Sequence, residues 1–312
     1  MSKRKANFTS AADTFDVWKD DVLTGSGPVL WPVGTGELAR IEIGPGLVML
    51  LGGAPGAGKS AFAMQLVIDA LRLTPTLRVL VCSVEMPPRV LLDRQLARLS
   101  GINLKTIRHR NFHAEHADRL DQALNTLESI GERLAFVRPP FSLENAALSA
   151  DAFQADLLLL DYIQRIPPPG NHADKRASVN STMNFLRQFA DNDVGLIVVA
   201  AVGRTKDSRG RSSYDGNGLN LASFRESSEL EFGADSAFIL VPEEADTVRL
   251  KHLKARHSET KDLVLNFHRA TQRFEDADSF VWSPGSGELQ LATAALWNDT
   301  SPAADDGEGD ED

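Results

Sequence analysis

The stretch GGAPGAGKS, residues 52–60, decides the fold, because Gly53-x4-Gly58-Lys59-Ser60 within it matches the P-loop pattern without a mismatch. The apolar run GLVMLL (46–51) before it reads as a buried strand, and AFAMQLVIDALRL (61–73) after it has helical spacing. The glycines therefore sit at a strand-to-helix turn. Small residues there let successive backbone N–H groups of Gly53, Ala54, Pro55, Gly56, Ala57 and Gly58 wrap a phosphate at a helix N-terminus, with Pro55 contributing shape and no donor. In that setting Lys59 reaches toward β- and γ-phosphates, and the Ser60 hydroxyl is a ligand for Mg²⁺.

Working outward, strands and helices alternate. RVLVCSV (78–84) reads as a strand, PPRVLLDRQLARLSG (87–101) as a helix stopped by Gly101, and residues 116–131 as another helix. RLAFVRP (133–139) is a strand, SLENAALSADAF (142–153) a helix and DLLLLDYI (156–163) a continuous apolar strand. ASVNSTMNFLRQFADND (177–193) is helical, and GLIVVAAV (195–202) is again a buried strand. Continuous apolar strands separated by helices imply an α/β fold with a mostly parallel central sheet covered on both faces. Beyond residue 236 the pattern changes: SAFILVP, TVRLKHLKA, KDLVLNFH, SFVWS and GELQLA read as strands with short turns, an antiparallel C-terminal extension of the same sheet.

The expected organisation is an N-terminal arm and helix over 1–30, one α/β domain over 31–295 and an acidic tail over 296–312. In TFDVWKDDVL (14–23), Phe15, Trp18 and Val22 share one helical face opposite Asp and Lys. That stripe packs either on its own domain or on a neighbouring subunit. The net charge of −10 is unevenly placed: SPAADDGEGDED (301–312) holds six acids and no base, and removing those six charges leaves −4. Overall charge therefore does not exclude a nucleic-acid partner. A lone cysteine, Cys82, excludes an internal disulfide framework. The basic start lacks the apolar core of a signal peptide and no apolar stretch is long enough to span a bilayer, so the expected location is cytoplasmic.

Triphosphate hydrolysis needs a carboxylate near Mg²⁺, a group that activates water and cations for developing charge. Asp161 ends the run LLLL (157–160), as a Walker B acid does, although an Asp after an apolar strand can also simply cap a helix. Glu85 ends the strand after the P-loop helix, at the strand edge that lines ligand crevices in open α/β sheets. It is a candidate base for attacking water, or a solvated loop acid. Gln164 either senses the γ-phosphate or hydrogen-bonds a loop. Lys254 and Arg256 close TVRLKHLKA, where they form a solvated face or reach a neighbour's nucleotide as an arginine finger.

Taken together these segments resemble the motor domain of DnaB-type replicative helicases, hexameric RecA-fold ATPases. GGAPGAGKSAFAMQL is similar to that family's P-loop and helix, VLVCSVEMPPRVLLDRQLARLSG to its strand with a catalytic glutamate, here Glu85, and DLLLLDYIQRI to its Walker B segment with Asp161 and Gln164. FRESSELEFGADSAFIL keeps Arg225, Glu226 and Ser227 of a family signature, with the later Glu231, Ala234 and Asp235, and LKARHSETKDLVLNFH aligns Lys254 and Arg256 with the family's lysine and arginine finger. The resemblance runs from about Gly34 to Phe274. It implies a RecA-like P-loop NTPase that hydrolyses ATP with Mg²⁺ at subunit interfaces of a homo-hexamer, moves on single-stranded DNA and works with replication proteins.

The family's DNA-binding loops correspond to 167–178, with Lys175 and Arg176, and to 204–223, with Arg204, Lys206, Arg209 and Arg211. Both stretches also fit ordinary solvated loops. Three departures stand out. Only about thirty residues precede the motor-like region, where the family carries a helical domain. Ala201 occupies the place of a glutamine that couples nucleotide state to DNA, and Ser228-Glu229-Leu230 replaces a Gly-Ser-Ile segment. The alternative is therefore a RecA/KaiC-like regulatory or helicase-associated ATPase that does not unwind DNA.

Overall fold

A computed structural model describes residues 9–168, 170, 175–203, 205–206, 212–213, 219–224 and 233–277. The chain divides into two units, Met1–Ala277 and Asp278–Asp312, and the second lies outside the described residues. The expected strands SFVWS and GELQLA and the acidic tail fall there.

Helix α1 (Ala11–Thr24) opens on a capping box: the Ser10 side chain accepts from the Asp13 N–H, and the Asp13 carboxylate accepts from the Ser10 N–H. None of its residues is buried. Phe15 and Trp18 stay 53% and 57% exposed, with ring centroids 5.5 Å apart. Packing of this stripe on its own domain is thus not observed among the described residues.

Next come β1 (Val48–Gly53), α2 (Lys59–Leu73), β2 (Val79–Ser83), α3 (Pro88–Ser100) and α4 (Leu104–His109). They are followed by α5 (Ala117–Ser129), β3 (Leu134–Phe136), α6 (Leu143–Phe153), β4 (Leu157–Asp161), α7 (Lys175–Ala190) and β5 (Gly195–Val199). A two-residue pair, β6 (Thr205–Lys206) with β7 (Ser212–Ser213), precedes β8 (Ser236–Pro242), β9 (Thr247–Ala255), β10 (Leu263–His268) and β11 (Arg273–Asp276). The main sheet has the order β11-β10-β9-β8-β1-β5-β4-β2-β3. β8, β1, β5, β4, β2 and β3 are parallel, and β9 to β11 extend the edge antiparallel.

The continuous apolar runs follow from burial of both sheet faces. In β4, Leu157 and Leu159 pack into the core that holds α2, while Leu158 and Leu160 enter the opposite core beside α6 and α7. Successive side chains point to opposite faces, so a strand buried on both sides needs apolar residues at every position. Cys82 lies in β2 at 0% exposure, with its thiol pushed up to about 12 chiefly by burial.

Three elements differ from the sequence expectation. α7 begins at Lys175, so Lys175 and Arg176 stand on a helix and not in a loop. Lys206 stands in β6, paired with Ser212. β11 was not anticipated. Its fastening is non-local: the buried Gln65 side chain on α2 donates to the Phe274 carbonyl at 2.7 Å and accepts from the Phe274 N–H at 2.9 Å.

Candidate nucleotide site

The P-loop, the end of β2 and the end of β4 meet at one cleft of about 460 Å³. Register explains the convergence. Asp161 pairs with Ser83 and Val199, so the carboxyl ends of β2, β4 and β5 lie level beside the Gly53 end of β1. Lys59, Ser60, Glu85 and Asp161 all line this cleft.

The P-loop turn is shaped by Gly58, which caps α2 with φ +94° and ψ +13°, a left-handed conformation that disfavours a side chain. A Cβ there would also lie 2.8 Å from Phe274 and 3.0 Å from Phe267. Those two rings stack at 4.1 Å and 6° to form the floor beneath the loop. Lys59 Nζ donates to the carbonyls of Gly53 at 2.8 Å and Ala54 at 3.0 Å. Burial lowers the Lys59 pKa from its ordinary range, opposed by Asp161 and Glu85. Burial likewise raises the Asp161 pKa, opposed first by a hydrogen bond from Ser60 and then by Lys59.

Glu85 is about half exposed, with Arg165 at 3.8 Å across the cleft mouth. Gln164 hydrogen-bonds a loop: its Nε2 donates to the Ala201 carbonyl at 3.2 Å, and its Oε1 accepts the Ala201 N–H at 3.1 Å. Ala201 itself lines the cleft.

Two cationic side chains of the cleft were missed in the sequence, Arg94 on α3 and Arg269 after β10. Arg94 Nε is buried without a hydrogen-bond partner, and burial lowers its pKa against the pull of Asp161. Arg94 follows buried Leu91 by three positions and precedes buried Gln95, a spacing that marks the inner face of α3. Arg269 stacks 5.1 Å from the Phe267 centroid and donates to the Gly56 carbonyl at 3.3 Å. No periodic signal surrounds it. Three cations, Lys59, Arg94 and Arg269, thus face two acids, Glu85 and Asp161, across one cleft. A buried guanidinium N–H with no partner beside a P-loop fits a polyanion, and Ser60 with Asp161 fits a hard divalent cation. No cluster of three or more His, Cys, Asp or Glu suited to a metal occurs among the described residues.

Lys254 and Arg256 are elsewhere. The Arg256 N–H donates to the Asp235 carbonyl at 2.8 Å, and the Asp235 N–H donates to Val48 O, at the amino-terminal end of β1. β1 rises about 3.3 Å per residue, so its five steps put that edge about 17 Å from Gly53. Neither residue lines the cleft of its own chain. Arg204, Arg209 and Arg211, and Arg225 to Glu231 of the signature, lie outside the described residues.

The DnaB-like helicase C terminal domain family matches residues 42–276. This chain belongs to that family. It is 24% identical over 208 residues to the replicative DNA helicase DnaB of Buchnera aphidicola subsp. Schizaphis graminum, covering 64% of this chain and 43% of that protein. It is 23% identical over 288 residues to a "Probable plasmid replicative DNA helicase" of Chlamydia trachomatis, covering 90% of this chain and 60% of that protein. The chain thus spans about half the length of these helicases. Among solved structures it resembles one of an ATPase domain on its own, with a TM-score of 0.73 and 19% identity over 86% of this chain and 99% of that one. A DnaB-like replicative helicase studied with primase gives a TM-score of 0.72 and 18% identity over 88% of this chain and 68% of that one. The fold is that of a RecA-like ATPase domain of the DnaB type. No helix among the described residues is long and apolar enough to cross a membrane.

Proposed function

We propose that the chain is a cytoplasmic ATP-dependent helicase motor of the DnaB type. It assembles head to tail as a homo-hexamer, hydrolyses ATP with Mg²⁺ between subunits and translocates on single-stranded DNA in replication, alongside other replication proteins. The observation that carries this is the division of the machinery: the P-loop, Glu85 and Asp161 converge on one cleft, while Arg256 stands about 17 Å away at the far strand edge. A head-to-tail assembly brings that far edge to a neighbour's cleft. The groups divide the work as follows.

The backbone of Gly53 to Gly58 and Lys59 hold the β- and γ-phosphates, with Arg94 and Arg269 adding positive charge at the cleft wall. Ser60 and Asp161 hold Mg²⁺, which when bound supplies charge neutralisation between phosphate oxygens. Glu85 takes the proton of the attacking water. Arg256 of one subunit, with Lys254 beside it, stabilises charge developing on the neighbour's nucleotide. Lys175 and Arg176 at the start of α7, with Arg204, Lys206, Arg209 and Arg211, track the DNA backbone. The motor occupies 31–295, between an arm and helix at 1–30 that docks on the neighbouring subunit and the acidic tail at 296–312.

One observation favours a second reading. Ala201 has no polar side chain to face the cleft, and the Gln164 amide is bonded to the Ala201 backbone. A regulatory or helicase-associated ATPase that assembles with ATP and leaves DNA wound fits that arrangement. The test is ATP hydrolysis with and without single-stranded DNA, with the assembly state followed by light scattering. DNA-stimulated hydrolysis by a ring supports the motor. Hydrolysis indifferent to DNA overturns it in favour of the regulatory reading.

A further inference from the structure

Asp235 is the best-anchored carboxylate of the far strand edge. It is 5% exposed, immediately before β8. Its N–H donates to Val48 O at 2.8 Å, and its Oδ2 accepts the Val48 N–H at 2.9 Å. The same Oδ2 accepts Arg187 Nη1 from α7 at 2.9 Å, and Oδ1 pairs with Arg256 Nη1 at 2.8 Å. The Asp235 carbonyl takes the Arg256 N–H at 2.8 Å, so both the backbone and the side chain of Arg256 are tied to one residue.

The approach of Arg256 to Asp235 is itself built. In the β8–β9 ladder Phe238 faces His252, but Ala237 faces Lys254, so β9 carries one extra residue at Leu253. Such a bulge bends a strand and re-aims the side chains beyond it. It comes directly before Lys254-Ala255-Arg256. Asp235 is meanwhile joined to Val48, which opens β1, the strand that ends at Gly53 of the P-loop.

We propose that Asp235 positions Arg256 for its action on the neighbouring subunit's nucleotide, with Arg187 as the fixed cation that keeps the carboxylate paired. This rests on the finger role of Arg256 argued above. A long, rotamer-rich arginine delivers little stabilisation at a phosphate unless its geometry is set beforehand. Asp235 sets it from a rigid strand end. Arg187 and the Val48 N–H keep Oδ2 satisfied, so Arg256 can tilt toward and away from a ligand without orphaning a buried charge. The carboxylate also joins each subunit's Arg256 to the strand that carries its own P-loop.

The test is a double-mutant cycle on the full chain, reading kcat and KM for ATP hydrolysis, thermal melting and assembly by light scattering. Asp235→Asn keeps the shape and removes the charge. It is expected to lower kcat by about 10- to 100-fold while KM stays within about twofold, as misplacement of a positioned group does. In an Arg256→Ala background the same change is expected to cost nothing further in kcat. Arg187→Gln, which removes the other cation, is expected to lower the melting temperature with little change in kcat. A kcat loss for Asp235→Asn that multiplies with that of Arg256→Ala, or that Arg187→Gln reproduces, overturns the proposal. If Asp235→Asn does not assemble, Asp235→Glu decides the matter: an unchanged kcat there also overturns it. Arg256→Ala with wild-type kcat refutes the finger role itself, whereas a slow Arg256→Ala beside a wild-type-rate Asp235→Asn refutes only the positioning role.

Discussion

Gly58→Ala tests the join between the P-loop and the antiparallel extension. The new Cβ meets two costs that can be separated. The first is backbone strain, because Gly58 has φ +94°, worth about 1–2 kcal/mol for an L-residue held left-handed. The second is steric: the Cβ would stand 2.8 Å from Phe274 and 3.0 Å from Phe267. Those rings are clamped in a stack, and Phe274 also lies edge-on to Phe62 at 5.0 Å, so neither can yield without disturbing the core. Overpacking of this kind costs about 1–3 kcal/mol. Gly56→Ala supplies the control, since Gly56 has φ +78° but its Cβ would meet nothing within 4 Å. In differential scanning fluorimetry without nucleotide, Gly58→Ala is expected to lower Tm by about 5–15 °C and Gly56→Ala by about 2–8 °C, taking about 2–4 °C per kcal/mol. Equal shifts for the two, or no shift for Gly58→Ala, would refute the packing of the P-loop on the Phe267–Phe274 floor.

Three further outcomes follow from the site. Burial raises the Asp161 pKa from 3.8, so the native state binds more protons than the unfolded state between 3.8 and that raised value, and the cost of burying the charge grows as pH climbs through that window. Without nucleotide, Asp161→Asn is therefore expected to melt above the wild type at neutral pH, with the gap closing toward pH 4; a constant gap contradicts the desolvation cause. Trp18→Ala is expected to weaken assembly in concentration-dependent light scattering without lowering Tm, because Trp18 is 57% exposed on a helix with no buried residue; a lower Tm at unchanged assembly would place its contacts within the chain. Gln164→Ala removes both side-chain bonds to Ala201, so hydrogen exchange at the Ala201 amide is expected to accelerate about tenfold for a bond worth about 1 kcal/mol. Unchanged exchange there shows that the pair does not hold in solution.

The elements that the sequence announced clearly are those whose signals are local. The P-loop, the apolar runs of β1, β2, β4 and β5 and the Gly101 stop of α3 all lie where the pattern puts them. Gly101 ends α3 in a left-handed conformation at φ +66°, as a helix stop requires. Elements that depend on distant partners were not legible. β11 is held by Gln65 from across the chain, and its four residues carry no alternation of their own. The start of α7 at Lys175 was hidden because the Pro-Pro-Pro-Gly run before it reads as loop and leaves the boundary open. In the cleft, Lys59, Ser60, Glu85 and Asp161 came from motif position, whereas Arg94 and Arg269 became visible only once α3 and β10 were folded against the P-loop. Gln164 was left between two roles by the sequence, and the Ala201 backbone supplies its partner.

The central claim, that the nucleotide site is completed by the neighbouring subunit, is tested most directly by mixing two disabled variants. Glu85→Gln spoils the cleft of its own chain, and Arg256→Ala spoils what that chain lends to the next. Each alone is expected to hydrolyse ATP at a small fraction of the wild-type rate. In randomly mixed rings, a junction where an Arg256→Ala subunit supplies the cleft and a Glu85→Gln subunit supplies the arginine is intact, which is about one junction in four for head-to-tail assembly. Recovery to about a quarter of the wild-type rate on mixing is the predicted result. A mixture no more active than its components would contradict the shared site.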